Sequence, residues 1–442
     1  MTVSPFGSEI YKDLFSDDEV NAIFSDHEHI RSLIKVEVAL AEVQGELNII
    51  PIQAAKKIKT VLENIVLNPK DLAHGTARDG IVVPTLVKHL RQAVGGDEAS
   101  FIHYGVTSQD ILDTALVLQL RKVFEIFETR LVKLIGILSK LADQHKNTVM
   151  AARTRSQIST PTTFGLRAAN WLMPFIRHQE RLLTLKERLV ILSIGGASGT
   201  LSALSEEDGI ATAKALEKKL SLGLPPLPWH NQRDNIAELG AYCGLLTGSS
   251  AKIANDIILL ASSGINEVSI TGSGKSSTMP QKNNPVAAEA IVALAKTNIE
   301  LSSALQHAQI HNNERDGAAW QIEWINLPRC LDVTATCFGH LENLLGALQI
   351  NSDVMMSNID RTYGTILAEA ASILLSNHMV KVQAQEIISK ACITALETKT
   401  HLFDILAKET KTTINWQDHR AAENHIGLSQ KFIEHTLAKI AN

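Results

Sequence analysis

Cysteine is scarce in this chain. Cys243, Cys330, Cys337 and Cys392 are the only four in 442 residues, and none has CxxC or Cys/His metal-ligand spacing. A disulfide scaffold and a thiolate metal site are therefore excluded, and buried free thiols are expected. Aromatics make up 5% and prolines number 12, none after Pro328, while Ala, Leu, Ile, Lys and Glu abound, a composition that favours helix. No stretch alternates with period two for long enough to build a sheet. No window reaches the roughly 18 uncharged apolar residues of a membrane span. The opening MTVSPFGSEI has neither the basic nor the apolar region of a secretion signal. A net charge of −5 argues against a general nucleic-acid or anionic-membrane surface. These absences lead to the expectation of a cytoplasmic protein without metal, cofactor, nucleic-acid or membrane partner.

What the chain does have is helical periodicity. Residues 111–145 hold no proline and one glycine, and Leu116, Leu120, Phe124, Phe127, Leu131, Leu134, Leu138 and Leu141 recur three or four apart. At 1.5 Å per residue this element spans about 50 Å, too long to be covered by one small domain. Similar patterns occupy residues 163–191, 234–262, 286–310 and 320–348. The fold class expected is all-α, in three helical domains: an N-terminal one at 1–110, a central long-helix bundle at 111–350 that packs against other chains, and a C-terminal one at 351–442. Within the first, residues 20–45 form one helical run, and HGTARDG (74–80) is a polar break.

The stretch TGSGKSSTMPQKNNP (271–285) stands apart. Its front is all Gly, Ser, Thr and Lys, the composition of a mobile loop. Its back reads as a helix start, with Asn284 as N-cap, Pro285 in the first turn and VAAEAIVALAK following. Open N–H groups at such a terminus, with the charge of Lys282, suit an anion. A phosphate-cradling P-loop is the competing motif, but the glycine it needs five residues before Gly274 is Ser269, and Met279-Pro280 would break its helix. An inert linker is the other alternative, and a rigid MPQKNNP tail argues against it.

Other polar breaks gather a coherent inventory. FIHYGVTSQD (101–110) sets Thr107 and Ser108 before the longest helix, where a simple cap would suffice for either. AARTRSQISTP (151–161), GGASGTLSAL (195–204), PPLPWHNQRD (225–234) and HNNERDGAAW (311–320) add Thr154, Gln157 and the cations Arg153, Arg155, Arg233 and Arg315. A substrate with several carboxylates fits, because arginine and lysine give it charge-assisted hydrogen bonds. Removing a proton next to a carboxylate makes an aci-carboxylate, reachable only where fixed donors already surround it. A serine becomes a competent base only when sheltered beside a cation and open N–H groups, which is the setting of Ser276. Arg153 and Arg233 serve equally as salt-bridge partners, His103 and His230 as packed helix tips, and Trp229, Trp320 and Trp324 as core.

SSTMPQKNNP resembles the signature of the fumarase/aspartase superfamily, G-S-S-x-M-P-x-K-x-N-P, with Lys275 standing where the family has glycine. HYGVTSQD resembles its first conserved region. ARTRSQISTPTTFG resembles its second, R-T-H-x-Q, with Arg155 in place of the histidine. The resemblance implies Ser276 as acid/base with Ser277 beside it, and substrate contacts from Thr107, Ser108, Thr154, Arg155, Gln157, Lys282, Asn284 and Arg315. It also implies a homotetramer with a twenty-helix core and sites shared between subunits. GGASGTLSAL, PWHNQRDNIAELG and ERDGAAWQIEW are similar to the 3-carboxy-cis,cis-muconate cycloisomerase branch, whose reaction needs no leaving-group acid. That branch implies a small polycarboxylate substrate, no cofactor and lactonising chemistry. An adenylosuccinate-type C–N lyase and a non-catalytic relative are the alternatives.

Overall fold

A computed structural model describes residues 4–440 except Ser273, Ser276, Ser277 and Pro280. Among the described residues there are seventeen α-helices and three two-stranded ribbons, an all-α fold. Five helices are long: Ser108–Gln144, Phe164–Leu189, Asp234–Leu260, Val286–Ala308 and Gly317–Gly346. Each lies within three residues of its periodic stretch in the sequence, because a stripe of buried side chains three and four apart fixes a helix better than any cap. In Ser108–Gln144 the side chains of Leu120, Phe124, Phe127, Leu131, Leu134 and Leu138 are fully buried. Cys243, Cys330 and Cys337 are buried thiols and Cys392 is half-buried.

The chain divides into two compact units that interleave along the sequence. The first takes Met1–Arg130, His178–Gly248 and Ala293–Gly339; the second takes Leu131–Arg177, Ser249–Val292 and His340–Asn442. In the first, the Asp26–Glu46 helix packs on Ile52–Leu62 and on Glu206–Leu220, and the Phe127 and Phe338 rings meet at 5.5 Å. In the second, Val149 and Ala151 join Ile359, Leu375, Phe403, Leu406 and Trp416 in one apolar core.

Three local expectations are corrected. The run at 20–45 is two helices, Asp18–Ile23 and Asp26–Glu46, separated where the Ser25 hydroxyl caps the second by accepting from the Glu28 N–H. HGTARDG lies almost wholly within the Pro69–Asp79 helix. Asn68 caps it, Pro69 starts it, and Gly80 ends it at φ 69°. Gly75 presses so closely on Thr85 that a Cβ would sit 1.9 Å from its hydroxyl. The third correction is AARTRSQISTP, which is a hairpin: Val149–Thr154 pairs antiparallel with Gln157–Thr163.

The helix after Arg315 is tied to the N-terminal segment by a buried carboxylate. Asp332 accepts from the Asp17 N–H at 2.6 Å and from the Ser16 hydroxyl at 3.1 Å. Burial outweighs these donors and pushes its carboxyl up to about 6. A raised acid is most favourable to folding below its unfolded value, and the benefit is lost as pH rises through about 6. Asp332→Asn is therefore expected to stabilise the fold by up to about 3 kcal/mol at roughly pH 7.5 and not at roughly pH 4, measured by denaturant unfolding.

Candidate active site

Thr107 and Ser108 stand at the start of the longest helix, in the first unit, both half-buried. The Asp110 side chain reaches back to accept from the Thr107 N–H at 2.9 Å, the reciprocal half of a capping box. Its two oxygens also accept from the Gly195 N–H at 2.7 Å, the Gly196 N–H at 2.9 Å and His230 Nε2 at 2.7 Å. Four donors satisfy a carboxylate that is 2% exposed, and burial without them would be prohibitive. The glycines are required here. A Cβ on Gly195 would lie 2.7 Å from Pro228 and 3.0 Å from the His230 ring, and Gly196 sits at φ +68°.

Arg315 joins the same place. Its Nε donates to Gln109 Oε1 at 2.6 Å and its Nη2 to the Ala197 carbonyl at 3.3 Å. Gln109 is itself buried, donating from Nε2 to Asp113 Oδ2 and to the His230 carbonyl. The loop carrying Arg315 is pinned by Asp316, which accepts from the N–H groups of Ala318 and Ala319 and from the backbone and side chain of Asn312. The Ala319 N–H first, then the Asn312 donors, hold its carboxyl down at about 2. The structure thus brings Thr107, Ser108 and Arg315 together at one helix N-terminus, with an exposed guanidinium whose Nη1 pairs with nothing among the described residues.

Beneath lies a buried ion triad. Arg233, fully buried, donates to Asp113 at 2.8 Å and to Glu323 at 2.8 Å, and stacks 4.6 Å from the Trp229 ring centre. Burial opposes its charge, and the two carboxylates outweigh burial. Arg233 is thereby a structural partner. His103 is tied to the buried Glu37 at 2.7 Å. Trp229 and Trp320 are core, but Trp324 is 37% exposed and corrects that expectation. It lines an apolar cavity of about 630 Å³, whose charged walls, Asp26, Asp113 and Glu323, are acidic and unsuited to a carboxylate.

In the second unit, Arg155 and Ser156 form the two-residue turn of the hairpin, at φ 49° and 66°, with Thr154 and Gln157 facing across it. Positive φ at both positions is the geometry that matches hairpin twist, adopted here by two residues with side chains at some cost. Thr154, Arg155 and Gln157 are exposed at the tip. The root is buried: Arg153 donates to both oxygens of Glu267, at 2.7 and 2.9 Å, and Asn358 adds a third donor at 3.0 Å.

The signature stretch is a second small hairpin. Gly274–Lys275 pairs with Asn283–Asn284, and the Asn283 side chain donates to the Ile270 carbonyl at 2.9 Å. The following helix starts at Val286, with the Pro285 carbonyl accepting from Glu289, so Asn284 lies in the ribbon, one residue short of the capping position. A phosphate loop would need its helix directly after Lys275. Lys282 is exposed and Asn284 half-buried. Ser276 and Ser277 lie outside the described residues. Among the described residues no hydrogen bond or strand pairing joins Lys282 and Asn284 to the Thr154–Gln157 turn.

Asp110 and Gln109 were missing from the sequence inventory. The T-S-Q-D spacing was signal enough for Asp110, since an acid three residues after a threonine marks a capping box. Gln109 had no such signal, because two of its three partners lie 121 and 206 positions away.

The hairpin root and the Arg315 loop each yield an expected outcome. Arg153→Met leaves Glu267 buried without its guanidinium partner, so about 3–5 kcal/mol of stability should be lost in denaturant unfolding, with Glu267→Leu added to it recovering most. Asp316→Asn should lower the unfolding midpoint near neutral pH. The difference should vanish as pH falls from the ordinary carboxylate range towards about 2, where the wild-type carboxyl is itself protonated.

A sequence profile of the family described as lyase matches residues 14–299. The chain is 35% identical over 439 residues to trans-aconitate decarboxylase 1 of Mycosarcoma maydis, covering 97% of this chain and 88% of that one. It is 34% identical over 411 residues to 3-carboxy-cis,cis-muconate cycloisomerase of Acinetobacter baylyi, covering 91% and 90%. The crystal structure of 3-carboxy-cis,cis-muconate lactonizing enzyme from Pseudomonas putida superposes with a TM-score of 0.91 at 30% identity, covering 98% of this chain and 99% of that one. With its signature, its all-α fold and these relatives, the chain belongs to the lyase family of the fumarase/aspartase superfamily and is one of its enzymes.

Proposed function

We propose that the protein is a cofactor-independent cycloisomerase that converts 3-carboxy-cis,cis-muconate to 4-carboxymuconolactone. One substrate carboxylate oxygen adds to the diene, a C–O bond forms, and the displaced π electrons move onto the neighbouring carboxylate as an aci-carboxylate. The Ser276 hydroxyl gives its proton to the adjacent carbon and recovers one from water, which accounts for the carboxylate consumed in the lactone. Ser277 lies beside it. Three donor groups serve three carboxylates: Thr107 and Ser108 with Arg315, Lys282 with Asn284, and Thr154 and Gln157 with Arg155.

The observation that carries this reading is the tethering of Arg315 to the helix N-terminus through Gln109 at 2.6 Å. An anion subsite built before substrate arrives is what an aci-carboxylate requires. Two relatives are named for tricarboxylates, aconitate and carboxymuconate, which supports the same substrate class. A homotetramer with shared sites is part of the proposal. Five long helices per chain suit a twenty-helix core, and Val132, Leu245 and Ile299 on them are more than half exposed. We place the tetramer in the cytoplasm; no described helix is long and apolar enough to cross a membrane. The division into domains at 1–110, 111–350 and 351–442 belongs to the same proposal.

Loss of diene absorbance on mixing purified protein with carboxymuconate tests the reaction. Ser276→Ala is expected to lower kcat by about 10²–10⁴-fold with the protein still folded. Fumarate release from adenylosuccinate, with the diene untouched, would replace this reading with the C–N lyase. Sedimentation that shows a monomer would remove the shared site.

A further inference from the structure

Capping the longest helix needs Asp110, but it does not need an imidazole on that carboxylate. His230 is nevertheless 4% exposed, with Nε2 held 2.7 Å from Asp110 Oδ1. Asp110 also takes three backbone N–H groups, so its oxygens serve as acceptors and Nε2 carries the hydrogen. That fixes the tautomer. The second nitrogen, Nδ1, pairs with nothing among the described residues; it is a lone pair on the neutral ring and a donor only on the imidazolium. Gln109 stands between this histidine and the exposed arginine, donating to the His230 carbonyl at 2.8 Å and accepting from Arg315 at 2.6 Å. The Gly195–Gly196 backbone holds Asp110, and the next carbonyl, that of Ala197, holds Arg315.

The geometry points to His230 as a further carboxylate-binding residue of the Arg315 subsite, one that takes up a proton as the carboxylate arrives. This rests on the polycarboxylate reading above. A carboxylate beside Arg315 meets a repelling lone pair if the ring is neutral and a charge-assisted hydrogen bond if it is protonated, so binding selects the imidazolium. The charged and titratable groups around it are few. Asp110 contacts the ring directly and also acts on His103; Asp113, Arg233 and Glu323 form the adjoining ion triad, and Gln109 links that triad to Arg315, next to Asp316. Of these, Asp113 is matched by Arg233, and Asp316 is committed to its own turn. Asp110, the direct partner, stabilises the imidazolium.

Calorimetric titration of the full-length protein with propane-1,2,3-tricarboxylate, an inert saturated tricarboxylate, tests this in two buffers of different ionisation enthalpy at neutral pH. The wild type is expected to take up about one proton per site. His230→Gln, which keeps a side-chain N–H for Asp110, should take up none and bind roughly tenfold to a hundredfold more weakly. Binding by the wild type without proton uptake overturns the assignment, whether or not the variant folds. An unchanged proton count in His230→Gln does the same, and in both cases the polycarboxylate reading stands. No binding by the wild type removes that reading, and this one with it.

Discussion

The Asp110 carboxylate is the joint on which the first unit's site depends. A buried carboxylate is tolerable only with every lone pair engaged, and here the donors come from three separated segments: residue 107, residues 195–196 and residue 230. The cost of leaving any of them unpaired holds the helix start, the glycine loop and the histidine in one arrangement. Gln109, one residue earlier, extends that arrangement to Arg315. One turn deeper, Asp113 does for the core what Asp110 does for the surface, closing on Arg233 and Glu323.

The second unit solves the same problem with a ribbon. Its charged root, Arg153 with Glu267, is almost wholly buried, whereas its polar tip, residues 154–157, is exposed. Fixing the root and leaving the tip in water keeps its hydroxyl, guanidinium and amide groups exposed, without the cost of burying them. The signature ribbon follows the same plan, anchored by Asn283 on the Ile270 carbonyl with Lys282 exposed beside it. In both units the groups with a proposed chemical role sit at the ends of elements, and the groups that hold them there are buried.

Much of the fold is legible in the sequence. The long helices were readable because a stripe of leucines three and four apart has only one regular backbone that buries it. The Pro69–Asp79 helix was missed although its cap and its terminal glycine were in view, since a sequence as polar as HGTARDG carries little periodicity. The hairpin at Val149–Thr154 was missed for a different reason: its residues alternate weakly, and its turn uses Arg155-Ser156 where a glycine would have announced it. Among the candidate site residues, types and positions came from motif spacing. What each arginine does could not. Arg153, Arg233 and Arg315 looked alike along the chain, and only burial separates the two that close ion pairs from the one left exposed.

The sequence by itself determined the all-α class, the five long helices, the signature stretch with its family resemblance and the inventory of hydroxyl, amide and cationic groups in the polar breaks, because each of these is written in local periodicity or in fixed short spacing. The tertiary structure alone decided that Asp110 gathers Gly195, Gly196 and His230, that Gln109 hands Arg315 to a helix N-terminus, and that Arg233 is sealed away. Those are contacts between residues tens to hundreds of positions apart. They are set by which buried polar groups can satisfy one another once the apolar faces have packed, and no window of sequence contains that information.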